Sequence, residues 1–280
     1  MLGTAFPAAR VLLVEQPGPW GPAGLRTSRL DSRVVQRLEQ QAAALGVRVI
    51  GIRRPGRTPR DAVRRWALVD TRAGREAQRW GRYDGDADLL ELDLTADAGE
   101  APTVDADREP VYLVCTNGSH DACCAVRGRS VAAALHGVRP GRAWECTHVG
   151  GDRFAANVLV LPAGLLYGRV LPFAATEFAA AADADEVVGA LLRGRIGLPP
   201  AAQAALAFGY EHLALRSRTA LQLQAVSPVR DGVATVRLRG PHGLLDVAVR
   251  VEVVGADGLT CTHPGPNRYL AYRPVAVTEV

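Results

Sequence analysis

Apolar residues at the start of the chain fall into short runs separated by one periodic stretch. The run Val11–Glu15, closed by Gln-Pro-Gly-Pro-Trp-Gly, predicts a strand that ends in a turn. From Ser28 to Leu45 the apolar residues Leu30, Val34, Val35, Leu38, Ala42 and Leu45 share one face of a helix. Ser28 is its candidate N-cap and Gly46 its stop. Val47–Ile52 reads as a strand, Trp66–Asp70 with Gln78–Tyr83 as a hairpin across Arg-Ala-Gly, and Asp86–Leu92 as a short helix. The polar, acidic stretch from Thr95 to Glu109 reads as a linker.

The order then repeats. Val111–Cys115 predicts a strand, Asp121–Leu135 a helix, Ala143–Cys146 a strand, and Asn157–Leu161 with Leu165–Val170 a hairpin around Pro-Ala-Gly. A helix is expected over Asp183–Arg193, with Val187, Val188, Leu191 and Leu192 toward the sheet, and another over Pro200–Leu215. Leu221–Ala225, Val233–Arg239, Leu245–Val254 and Tyr269–Val277 are strand-like. Strand, helix, strand, hairpin, helix is the element order of a thioredoxin fold. The expectation is therefore α/β: two tandem thioredoxin-like domains at 1–104 and 105–216, each a mixed sheet flanked by helices, with a small C-terminal β-rich region at 217–280. In this degenerate duplication Glu15 stands where Cys115 stands in the second copy.

The 280 residues, 48% hydrophobic and 22% charged, describe a globular chain long enough for two cores. No apolar segment reaches the ~18 residues of a membrane helix, and the first residues lack a basic flank and a cleavage site, so a reducing cytoplasm is the expected location. An odd count of cysteines argues against a disulfide framework. Net charge is +4 with every cationic side chain an arginine, which suits an acidic partner protein or a phosphorylated ligand. Arg53, Arg54, Arg57, Arg60, Arg64 and Arg65 form the densest basic run, but only Trp66 is interleaved as a stacking aromatic, so nucleic acid is not an expected partner.

Candidate chemistry concentrates between Cys115 and Tyr167. Cys115 closes a strand, and Cys124 falls in the first turn of the next helix, whose N-terminal partial positive charge lowers a thiol pKa. His148 ends the following strand, and two glycines fold the chain back so that Asp152 approaches it. Four donors from two strand ends point to a metal centre of Cys115, Cys124, His148 and Asp152, with Cys123 and Cys146 as alternates. Each has a plainer reading as well: buried cysteines, a turn histidine and ordinary Gly-Gly-Asp turn chemistry. His120 is a candidate outer donor, and Arg153 a candidate partner of Asp152. Cys261 and His263 read as incidental.

The phrases Cys115-Thr-Asn-Gly-Ser-His-Asp-Ala-Cys-Cys-Ala125, Trp144-Glu-Cys-Thr-His-Val-Gly-Gly-Asp-Arg-Phe-Ala155, Leu159-Val-Leu-Pro-Ala-Gly-Leu-Leu-Tyr-Gly168 and Leu13-Val-Glu-Gln-Pro-Gly-Pro-Trp-Gly21 resemble the sucrase/ferredoxin-like family, a branch of the thioredoxin-like [2Fe-2S] ferredoxins. The resemblance covers roughly residues 3 to 215. It implies that two cysteines nine positions apart and two histidines four apart hold a [2Fe-2S] cluster. Carried over, these are Cys115, Cys124, His148 and Asp152, the last an aspartate where the pattern has histidine. A hard anionic ligand should pull the potential below the histidine-ligated range, on the order of −150 to +300 mV. The implied function is an electron carrier that serves a redox partner protein, with no sucrose hydrolysis. The alternatives are a cluster-free thiol protein that uses Cys115 with Cys123 or Cys124, and an anion- or partner-binding module built on the arginine run.

Overall fold

Strand β1 (Arg10–Glu15) runs parallel to β2 (Val47–Arg53), and α1 (Ser32–Ala44) makes the crossover between them. The helix is capped by Asp31, whose carboxylate accepts from the amides of Arg33 and Val34, and not by Ser28. Ser28 instead donates its hydroxyl to Leu25 O and closes the short turn before the helix. Gly46 takes a positive φ of 66° and ends the helix as expected. Strands β3 (Arg64–Asp70) and β4 (Ala77–Tyr83) form the expected hairpin, with β3 antiparallel to β1. The computed structural model describes residues 1–56, 63–96, 98, 109–261 and 265–280. Most of the expected linker, and Arg57, Arg60 and His263, lie outside the described residues.

The second half repeats the pattern. β5 (Val111–Cys115) and β6 (Ala143–Cys146) are parallel through α2 (Ala122–Val138), and β7 (Val158–Leu161) with β8 (Leu165–Tyr167) forms the hairpin. Corresponding strands end at corresponding places: Glu15 pairs with Ile52 at the end of β1, and Cys115 with Cys146 at the end of β5.

The two halves form one nine-stranded sheet, ordered β4-β3-β1-β2-β6-β5-β7-β8-β9, joined by antiparallel pairing of β2 with β6. One face carries a core common to both halves: Val11, Leu13, Ile50, Ile52 and Val69 with Leu113, Trp144, Cys146, Leu159 and Leu161. The alternate residues Leu12, Val14 and Leu68 face outward and pack with α1, while Tyr112, Val114, Val158 and Val160 pack with α2 and the later helices. The sheet curls far enough for its ends to touch. Arg195 on β9 donates to Thr71 O at 2.5 Å and to the Glu76 carboxylate at 2.7 Å, both in the turn between β3 and β4.

The expected helix over Asp183–Arg193 is absent. Helix α3 occupies Ala175–Asp183, and Leu192–Arg195 is strand β9, paired with β8. Helix α3 is mostly alanine and starts without a side-chain cap, so no local sequence signal marks where it begins. Asp185, at a left-handed φ of 61°, then turns the chain, and edge pairing on β8 outweighs the helical spacing of the later apolar residues.

Helix α4 (Pro200–His212) packs on a separate four-stranded antiparallel sheet of β10 (Gln222–Val226), β11 (Val233–Gly240), β12 (Gly243–Ala256) and β13 (Asn267–Glu279). Val236, Leu238, Leu245, Val247 and Val249 supply its buried face. The mixed α/β architecture with a β-rich C-terminal region is thus as expected, with the two halves merged in one sheet.

Candidate metal centre

The carboxyl ends of β5 and β6 lie side by side, and the residues beyond them build the site. Cys115 is held by its own amide, which donates to Asn157 O at 3.0 Å. The chain then turns over Asn117, whose carbonyl accepts from the amides of His120 and Asp121, and Asp121 caps α2 by accepting from the Cys123 amide at 2.8 Å. Helix α2 lies unusually close to β5: a Cβ added at Gly128 would sit 2.2 Å from Cys115 O. Only glycine permits that approach, which brings Cys124 beside Cys115.

The four predicted residues converge. The Cys115 and Cys124 sulfurs and one His148 nitrogen all lie within 4.8 Å of one another. His148 Nδ1 is the ring nitrogen turned inward, 3.9 Å from Cys115 Sγ and 3.2 Å from Asp152 Oδ1. The Cys124 thiol donates to that same Asp152 oxygen at 3.3 Å. Cys115, Cys124 and Asp152 are buried, whereas His148 is half-exposed and its ring stacks on that of His120 at 3.8 Å between centroids. His120 in turn touches Pro22 O at 3.1 Å, and Asn117 donates to Gly21 O at 3.2 Å, so the loop after β1 walls the site.

The two thiols are shifted in opposite directions. The Cys124 thiol hydrogen-bonds to Cys115 and holds its pKa well below the ordinary thiol value, against the opposing effect of burial, with His148 and the Val149 amide adding to the shift. Cys124 is pushed up by the same hydrogen bond, then by burial and the charges of Cys115 and Asp152. Of the two thiols, Cys115 is the more acidic. Two soft thiols, an imidazole and a carboxylate facing one point are a donor set that fits a transition-metal centre.

The alternates do not join it. Cys146 lies in the common core, outside the group formed by Cys115, Cys124 and His148, and burial raises its pKa well above the usual thiol value. Cys123 forms a disulfide with Cys261, which overturns both the reading of Cys261 as incidental and the argument against disulfides. The two are 138 residues apart, and only the long hairpin of β12 and β13 carries Cys261 back to the start of α2, where its amide donates to Asp121 Oδ2 at 2.7 Å. Arg153 does not pair with Asp152; its guanidinium lies 4.0 Å from the Tyr269 ring centroid and 4.5 Å from that of Phe154. In the arginine run, Arg53 grips Glu145 at 2.6 and 2.8 Å, Arg54 stacks on Trp144 at 3.6 Å, and Arg64 binds Asp86.

Sequence reasoning missed Arg193 and Asn157. Both are buried beside the turn from His148 to Asp152, and neither carries a local motif.

No described helix is long and apolar enough to cross a membrane. A family model described as sucrase/ferredoxin-like matches residues 1–194, which takes in the whole site and stops within β9, before α4 and the C-terminal sheet. No curated protein and no solved structure matches the chain. With more than half of its length matched, and with the phrases that surround Cys115, Cys124, His148 and Asp152 inside the match, the chain belongs to the sucrase/ferredoxin-like family.

Proposed function

We propose that this protein is a redox protein that holds a [2Fe-2S] cluster at Cys115, Cys124, His148 and Asp152 and exchanges electrons with a partner protein. The observation that carries the reading is the grouping of the Cys115, Cys124 and His148 donor atoms within 4.8 Å of one another beyond two adjacent strand ends, with Asp152 Oδ1 at 3.2 Å from His148 Nδ1 and 3.3 Å from Cys124 Sγ. Bound there, such a cluster supplies one-electron transfer. The chain's own residues bind, shield and hold protons around it. Both thiols would lose their protons on ligation, and the lowered pKa of Cys115 makes it the readier of the two. Asp152 lies beside both His148 Nδ1 and the Cys124 thiol, and Cys115 and Cys124 are buried. His148, whose side chain is only partly buried, gives the site its edge toward a partner. We read each half of the sheet as a thioredoxin-like unit because both halves share the strand order. The role is that of a carrier and not of a sugar hydrolase.

Anaerobic purification tests this directly. A visible spectrum with about two irons and two acid-labile sulfides per chain supports it. A folded, colourless, iron-free protein overturns it and favours a cluster-free thiol protein, a reading supported by the proximity of the Cys115 and Cys124 sulfurs.

A further inference from the structure

Arg193 is 1% exposed, so its guanidinium is a cation taken almost wholly out of water. All of its hydrogen bonds go to neutral oxygens: Nε to Thr4 Oγ1 at 3.0 Å, Nη2 to Thr4 O at 2.7 Å, and Nη1 to Gly150 O and Asn157 Oδ1, each at 2.8 Å. Among the described residues it makes no ion pair. An uncompensated buried charge is strongly destabilising, and nature normally pairs it. Burial lowers the pKa of Arg193 and the nearby Arg153 adds to that, while Cys115 and Asp152 of the site favour its charged form.

The contact to the loop is close. A Cβ at Gly151 would lie 2.5 Å from Arg193 Nη2, so the Gly150–Gly151 segment is wrapped directly on the guanidinium. Asn157 completes the clamp by donating to Gly151 O at 3.0 Å while accepting from Arg193. The segment held this way is the one that carries His148 at one end and Asp152 at the other.

We propose that Arg193 is a positioning residue of the metal centre: it fixes the loop between His148 and Asp152, and its buried positive charge offsets the negative charge of the site. The proposal rests on the metal-centre reading above. Outer partners of this kind typically govern metal affinity by roughly 10- to 100-fold. Removing a buried cation also makes the addition of an electron nearby less favourable, which a purely structural role would not do.

The test uses the full chain, with Co²⁺ as the probe for the metal-free protein and the reduction potential as the readout for the iron-loaded one. Arg193→Met should weaken Co²⁺ binding by about 10-fold or more and shift the potential of any remaining loaded protein to more negative values. Arg193→Lys should keep the potential near that of the wild type while losing affinity, because it keeps the charge but not the planar fork. Wild-type protein that takes up neither Co²⁺ nor iron overturns the metal-centre reading itself. Wild-type binding with an unchanged affinity and potential in a folded Arg193→Met variant overturns the role of Arg193 alone. If circular dichroism shows that Arg193→Met does not fold, Asn157→Asp decides. It sets a carboxylate against Arg193, so it should lower the potential, and an unchanged potential overturns the proposal.

Discussion

His148 Nδ1 and Asp152 Oδ1 lie 3.2 Å apart across the Val-Gly-Gly turn, and the same carboxylate oxygen accepts the Cys124 thiol at 3.3 Å. Asp152 is therefore tied to two of the other three donors. It stands where the sequence resemblance implies a histidine. Asp152→Ala should lower metal affinity by about 10-fold or more. Asp152→His, which exchanges an anion for a neutral imidazole, should raise the reduction potential of the loaded protein. A redox titration of the three proteins under one buffer decides this. An unchanged potential in Asp152→His would remove Asp152 from the ligand set.

Gly128 sets the distance between α2 and β5. Its missing Cβ leaves room for Cys115 O, which a methyl would meet at 2.2 Å. Gly128→Ala must push the helix outward and carry Cys124 away from Cys115. Overpacking of this kind costs about 1–3 kcal/mol. Thermal melts should show the loss of stability, and Co²⁺ titration should show weakened binding in the fraction that stays folded.

The cysteines divide into two classes with a countable consequence. Three are free and two are bonded. Denatured protein should bind a thiol reagent at three sites before reduction and at five after it, the latter being all the cysteines of the chain. Cys261→Ser should release the β12–β13 hairpin from α2 and destabilise the fold by roughly 2–4 kcal/mol, as loss of a long-range disulfide usually does. Five reactive thiols without reductant would refute the pairing.

Glu76 joins the two ends of the curled sheet, and its carboxylate accepts from Arg195 at 2.7 Å and Arg218 at 3.0 Å. Burial pushes its pKa up, but the hydrogen bonds and these two cations outweigh that and hold it below the usual glutamate value. A carboxyl lowered in the folded state contributes stability above its unfolded pKa of about 4.3, and loses it as pH falls through the folded value. Glu76→Gln should therefore cost about 1–3 kcal/mol at pH 7 and flatten the acid limb of the stability curve. Urea melts at a series of pH values below neutrality measure both effects.

Most local structure was legible along the chain because it is written in short-range pattern. β1, β2, β5 and β6 are dense apolar runs, α1 has a clear apolar face, and the cysteine, histidine and aspartate of the site fall just beyond strand ends. The failures have physical causes. Asp31 outcompeted Ser28 as a cap because Ser28 was spent on a turn of its own. The alanine-rich α3 starts without a capping side chain, and Leu192–Arg195 forms a strand by pairing with the edge of β8.

The sequence by itself determined which segments are strands and helices over most of the chain and which four side chains are candidates for the metal centre, since backbone propensity and residue chemistry act over a few positions. Tertiary structure alone decided that the two halves share one curled sheet, that Cys123 meets Cys261, and that Arg193 is buried against the Gly150–Gly151 loop. Each of these joins residues tens to more than a hundred positions apart. Such contacts form only when the packing of the whole chain offsets the entropy of closing the loops between them, and nothing in the local pattern of either partner records it.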